Sequence, residues 1–231
     1  MGQERFAGES AVNLEQKCLC VLVLDVSGSM RGNPIQALND GLGSFWSDIK
    51  SGEGVSDSLK DQLEVAIIKY DQDVQIIREP KLLDDNESVP VLSERGSTTN
   101  TVAALYEAIK LVDDRKAFYK ATGQTYYRPW IILMTDGEPY PYVDNDVAEI
   151  SKIVKTDVEA KHYMIVGLGV GNANMDILKR MTNNTALPLQ GTKFKDFFKW
   201  LSNSMSTISQ SKEGDKIDLT SGMSQFMGYQ I

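Results

Sequence analysis

Histidine and cysteine are nearly missing from these 231 residues, which hold one His and two Cys. Structural zinc sites draw on sets of four such side chains. No zinc site is therefore expected, and His162, at the start of a predicted strand, reads as structural or exposed. Cys18 and Cys20 alternate within the apolar run CLCVLVL, which turns both thiols to one strand face, where they cannot bridge each other. Buried free thiols are the expectation. Positive charge is short as well: 24 Lys and Arg stand against 32 Asp and Glu, a net charge of −8. That balance argues against nucleic-acid binding, because phosphate backbones are held by clustered Lys and Arg. No run of 18 apolar residues exists, so no membrane-spanning helix is expected. The start, MGQERFAGESAVN, lacks the apolar stretch of a secretory signal and has Phe6 where myristoylation needs Ser or Thr. A cytoplasmic location and no membrane partner follow as expectations. There is no GxxxxGK[ST] phosphate cradle, and GLGVGN (167–172) lacks the third spaced glycine of a dinucleotide loop. It reads as a strand-end turn.

What is present is an alternation of two patterns. Short apolar runs, CLCVLVL (18–24), LEVAIIKY (63–70), PWIILMT (129–135) and HYMIVGLGV (162–170), suit strands buried on both faces of a parallel sheet. Between them lie helical spacings. Ile35, Leu38, Leu42, Phe45 and Ile49 follow Pro34 at a first helical position. Val102, Leu105, Ile109 and Val112 form a second stripe before a charged tail, DDRKAFYK. A third helix is expected from about Val143 to Lys161, a short fourth over MDILKRM, and a fifth over FKDFFKWLSNSMSTI, with its aromatics in the core. KYDQDVQIIREP reads as a strand, a tight turn and a returning strand, so one edge strand should be antiparallel. The fold class is α/β: a doubly wound, mostly parallel sheet with helices on both faces. It should occupy residues 18–210, after an N-terminal extension (1–17) and before a polar tail (211–231) expected to be loosely held.

In such a sheet, ligands bind where the loops splay at the carboxyl ends of the strands. Asp25 ends the first strand, and Ser27 and Ser29 lie in the loop after it, in LDVSGSM. Asp136, in ILMTDGEP, ends another strand, while ERGSTTNTVAAL places Thr98, Thr99 and Thr101 in a loop opening a helix. Two carboxylates and several hydroxyls, with no nitrogen or sulfur ligand nearby, suit a hard cation, Mg²⁺ first and Mn²⁺ in its place. A turn-and-cap reading explains Asp25, Ser27 and Ser29 singly but not Thr99 and Asp136 together.

The order Asp25-x-Ser27-x-Ser29, then Thr99 in TNTVAAL, then Asp136 in TDG resembles the metal-ion-dependent adhesion site (MIDAS) of von Willebrand factor type A (VWA, Rossmann-like) domains. Thr98 is the rival of Thr99, which fits the family spacing better. More narrowly, EQKCLCVLVLDVSGSM, YYRPWIILMTDGEP and FKDFFKWLSNSMSTIS resemble the bacterial VWA proteins of tellurium-resistance gene clusters, the TerY-like group. The resemblance implies Mg²⁺ held directly by the hydroxyls of Ser27, Ser29 and Thr99, with Asp25 and Asp136 acting largely through waters. It further implies an open position for an Asp or Glu carboxylate of a partner protein, and a non-enzymatic interaction module. Its cluster company, protein kinases and PP2C-type phosphatases, implies a signalling or stress-response assembly. Tyr140 and Tyr142, beside prolines in GEPYPYVDND, are candidates for a partner-binding rim, since Tyr combines contact area with a polar handle, with buried packing as the alternative for both. The alternative is a Mg²⁺-dependent phosphohydrolase or phosphotransferase with a strand-end aspartate as nucleophile. Against it, Ser27 stands where such enzymes place a second acid.

Overall fold

Strand β1 (Cys18–Asp25) is buried from end to end, and it forms the middle of the molecule in a computed structural model that describes residues 5–11, 13–52, 55–211, 223, 226 and 227. It pairs in parallel with β2 (Leu63–Tyr70) on one side and β4 (Trp130–Thr135) on the other. β5 (Met164–Val170) and β6 (Ala186–Leu189) continue the parallel array, and β3 (Val74–Leu82) returns antiparallel on β2. The order is β3-β2-β1-β4-β5-β6. The chain therefore leaves β1 toward opposite edges, which makes the carboxyl ends of β1 and β4 the switch point of the sheet.

The alternation along β1 sorts the core into two layers. Cys18, Cys20, Leu22 and Leu24 face α1 (Asn33–Ser51) and α6 (Phe194–Ser209), and both thiols are free and buried as expected. Leu19, Val21 and Val23 face α3 (Thr101–Thr122), α4 (Asp144–Glu159) and α5 (Met175–Met181). The expected stripe Ile35, Leu38, Leu42, Phe45 and Ile49 is the buried face of α1, which ends on Gly52 in the left-handed conformation. The aromatics of α6 are core, as expected: Phe194, Phe197, Phe198 and Trp200 are all buried.

Three features depart from the sequence reading. Helix α3 takes in the charged tail and runs to Thr122, with Asp114 and Arg115 of that tail buried. Two short elements went unforeseen, β6 and the single turn α2 (Leu59–Gln62). The tail expected to be loose is not so at Phe226, which is fully buried against Phe197 and Trp200 and whose carbonyl accepts from Gln190 N at 2.8 Å. The tail's other residues from Lys212 on, except Met223 and Met227, lie outside the described residues. No helix among the described residues is long and apolar enough to cross a membrane.

The α1–α6 contact is set by one glycine. A Cβ on Gly41 would stand 2.8 Å from a ring carbon of Phe198 and 2.9 Å from Phe194 Cβ. Gly41→Ala is expected to cost about 1–3 kcal/mol by overpacking, although alanine is the better helix former. Thermal unfolding followed by circular dichroism checks this, and an unchanged melting temperature would mean that α6 yields.

Candidate metal centre

The switch point gathers the predicted oxygen ligands. Asp25, at the end of β1, is fully buried. Its Oδ1 accepts from Ser27 N at 2.9 Å and its Oδ2 from Thr135 Oγ1 at 2.8 Å. Ser27 opens a 3₁₀ turn (Gly28–Met30) that brings the two serines together, with Ser27 Oγ and Ser29 Oγ 3.0 Å apart. Ser29 Oγ in turn donates to Asp136 Oδ1 at 2.7 Å. The chain of contacts thus runs from one strand end to the next.

Thr99 arrives from a third loop. Its carbonyl accepts from Thr101 N at 2.9 Å and from Tyr140 N at 2.8 Å, tying the start of α3 to the loop after Asp136. Its hydroxyl faces Gly137, where a Cβ would lie 3.8 Å from Thr99 Oγ1. A cavity of about 380 Å³ is lined by Ser27, Gly28, Ser29, Arg31, Gly96, Ser97 and Thr99, and Thr98 is not in that lining. Thr101 is buried inside the first turn of α3, with its hydroxyl turned back on the Thr99 carbonyl.

The approach of the third loop depends on Gly96, which has φ +61°, and whose missing Cβ would otherwise come within 2.7 Å of Asp71 Oδ2. Arg95 N donates to Val26 O at 2.7 Å and Asn100 N to Asp71 O at 2.8 Å, so both ends of the loop are fastened to the strand ends. Thr135, Arg31 and Ser97 had not been singled out from the sequence. Thr135 was legible in principle, since it lies one register step beyond the Leu24–Met134 pair and so beside Asp25. Arg31 and Ser97 carry no pattern that would have found them.

Electrostatics show what the site wants. Burial pushes the Asp25 carboxyl up to about 6, against the pull of the Ser27 and Thr135 hydrogen bonds, and Asp136 adds to the rise. Asp136 is also raised by burial, which the Ser29 hydrogen bond opposes. Neither carboxylate has an ion-pair partner among the described residues. A buried carboxylate without a counter-charge is costly, and a divalent cation would supply the missing charge. No group of three or more His, Cys, Asp or Glu able to hold a metal occurs among the described residues, so a cation site must draw on hydroxyls. Ser27, Ser29 and Thr99 provide them beside two acids, a donor set that fits a hard cation.

Of the two rim candidates, Tyr140 is tied to the site through its backbone N, while the Tyr142 hydroxyl meets Asp144 and Arg180. Tyr140 is 62% exposed and Tyr142 43%, and the Tyr142 hydroxyl donates to Asp144 Oδ1 at 2.9 Å. His162 is exposed and sits 3.5 Å from Asp157, remote in sequence from every loop of the site.

Fold and site together define a class: a doubly wound α/β domain whose switch point carries a hydroxyl-lined cavity beside two carboxylates. The chain belongs to the von Willebrand factor type A domain family, whose sequence model matches residues 20–206. No curated protein sequence matches it. Among solved structures it is similar to the pilus adhesin SpaC from Lactobacillus rhamnosus GG, with a TM-score of 0.62 at 14% identity over 88% of this chain and 32% of that one. It is similar as well to the vWF domain of the type V pili tip protein Mfa5 from Porphyromonas gingivalis, with a TM-score of 0.58 at 12% identity over 88% and 99%. A third is proximal thread matrix protein 1 from the mussel byssus, with a zinc-occupied MIDAS motif: TM-score 0.53, 16% identity, 83% and 47% coverage. At such identities the likeness shows the fold alone, and the chain spans less than half the length of the adhesin and byssus chains.

Proposed function

We propose that the protein is a divalent-cation-dependent protein-interaction module without enzymatic activity. The observation that carries this reading is the buried Asp25 carboxylate, uncompensated and joined through Ser27 and Ser29 to Asp136 beside an open cavity. Asp25, Ser27, Ser29, Thr99 and Asp136 would hold the cation, Mg²⁺ foremost with Mn²⁺ in its place; the oxygen-only set suits these better than zinc. A bound cation would supply an electrophilic position for an Asp or Glu carboxylate of a partner protein. Tyr140 and Tyr142 would form the rim that contacts that partner. Both Asp25 oxygens are engaged by hydrogen bonds and the residue is buried, which argues against that group as a phosphatase nucleophile. The resemblance to the TerY-like group supports a cytoplasmic stress-response or signalling assembly with kinases and PP2C-type phosphatases, and a tellurium-resistance role. The module would span residues 18–210, between an extension (1–17) and a tail (211–231).

Titration calorimetry is expected to show one Mg²⁺ or Mn²⁺ site, lost in Asp136→Ala. Because the ligands sit on loops at the edge of a buried sheet, far-ultraviolet circular dichroism should be nearly the same in EDTA. Unfolding on metal removal would make the cation a structural staple and sink the adhesion-site reading.

A further inference from the structure

The cavity beside the candidate cation ligands is larger than a single carboxylate guest needs, and its wall has one charged member. Its volume, about 380 Å³, is many times that of a water. The lining is four hydroxyls, from Ser27, Ser29, Ser97 and Thr99, two glycines and Arg31. No apolar side chain and no carboxylate contributes to it. Gly28 and Gly96 keep the floor at backbone level, since a Cβ on Gly28 would stand 3.0 Å from Gly96 O. Such a surface offers hydrogen bonds and one positive charge.

Arg31 is placed to be recruited. It follows the 3₁₀ turn that carries Ser29, so its backbone is fixed to the candidate ligand set, with Arg31 N donating to Gly28 O at 3.3 Å. Its side chain is 76% exposed, and its only ion-pair neighbour among the described residues is Glu94, 3.6 Å from Nε. That separation exceeds a good hydrogen bond, so the guanidinium fork remains available to an incoming oxyanion. Without a cation, Asp25 and Asp136 would repel an acidic guest. With a divalent cation the two carboxylates are balanced, and Arg31, offset in part by Glu94, becomes the charge that the pocket presents. Arg is suited to planar carboxylates, which it can bind through two parallel hydrogen bonds.

We propose that Arg31 makes this pocket selective for a partner presenting two neighbouring acidic groups, one at the cation site and one on the guanidinium, a selectivity that rests on the cation-binding reading of the same site. A lone acidic residue would satisfy only the first contact. Two adjacent acids on an exposed loop or chain end of the partner satisfy both.

The test uses the full chain loaded with Mn²⁺, whose bound water is read by proton relaxation, and two small probes, acetate and glutarate. Glutarate has two carboxylates, so a factor of two in its favour is statistical. In the wild type, glutarate is expected to displace the bound water at a concentration lower by roughly a further fivefold, the upper range for an exposed ion pair. Arg31→Gln should reduce the preference to the statistical factor while leaving acetate and Mn²⁺ affinity unchanged, and Arg31→Lys should retain part of it. A wild type with no preference beyond twofold, or a preference that survives Arg31→Gln, overturns the role of Arg31 and leaves the cation site standing. If Mn²⁺ does not bind, or acetate displaces no water, the cation-site reading itself fails and the selectivity falls with it.

Discussion

The Asp25→Asn variant is expected to melt higher than the wild type in EDTA, and to bind no divalent cation. Asp25 is fully buried, and burial raises its carboxyl to about 6, well above the usual carboxylate range. An acid whose folded pKa exceeds its unfolded one stabilises the fold when protonated. That contribution is complete below about 4 and is lost as pH rises through about 6. At pH 7 the metal-free protein therefore carries a penalty on the order of 2 kcal/mol for keeping this carboxylate ionised. Asparagine mimics the protonated form. Its carbonyl can accept from Ser27 N, and its amide can donate to Thr135 Oγ1, a hydroxyl able to reverse its role. A gain of roughly 5 °C is expected, at about 2–4 °C per kcal/mol for a chain of this size.

Two comparisons separate this account from a generic effect. The gap between variant and wild type should narrow as pH falls from 7 toward 4, because the wild-type carboxyl is then protonated as well. Saturating Mg²⁺ should raise the wild-type melting temperature and leave the variant where it was, by mass action. Stability is thus set against function at one atom pair, as expected of a site kept for binding. A variant that melts lower than the wild type at pH 7 in EDTA would mean that Asp25 is a structural anchor.

The parts of this protein that were legible from sequence are those with short-range patterns. β1 declared itself by seven apolar or cysteine residues closing on Asp25, and α1 by its regular stripe behind Pro34. Asp25, Ser27, Ser29 and Asp136 could be placed at strand ends because the strands themselves were clear. What escaped depended on partners far along the chain. DDRKAFYK looks like a solvated surface, and nothing local says that Arg115 is buried against Glu64, 51 residues away. Phe226 is one aromatic in a polar tail, and its socket belongs to α6. β6 is four residues with Pro188 inside, too short for an alternating pattern to register, and tolerable at an edge. Arg31 and Ser97 line one cavity although 66 residues separate them, and the loop that brings Ser97 there passes close to Asp71 at Gly96.

The largest loss of stability is expected from Arg115→Met, at the opposite end of the sheet from the cation site. Arg115 Nε and Nη2 each donate to Glu64 at 2.7 Å, and Nη1 donates to Glu9 Oε2 at 2.7 Å. The Tyr119 hydroxyl completes the group, donating to Glu64 Oε2 at 2.5 Å. The guanidinium also lies 4.3 Å from the Phe118 ring centre and 4.8 Å from that of Phe6. Burial works against its charge, yet the Glu64 and Glu9 carboxylates hold it above its usual range. Removing the arginine leaves Glu64, 2% exposed, as a buried carboxylate stripped of its ion pair, with the Lys17 ammonium nearby but beyond ion-pair distance. Breaking such a pair from one side costs about 3–5 kcal/mol, which corresponds here to a fall of roughly 10 °C. The penalty belongs to the orphaned charge, so the double variant Glu64→Leu/Arg115→Met should recover much of it, and denaturant unfolding of the two single variants and the double gives the coupling. The same arginine clamps the N-terminal segment through Glu9 and Phe6, so amide exchange over residues 5–11 should quicken in Arg115→Met. If the double variant loses as much as the sum of the single ones, the group is a set of independent contacts and not one buried charge network.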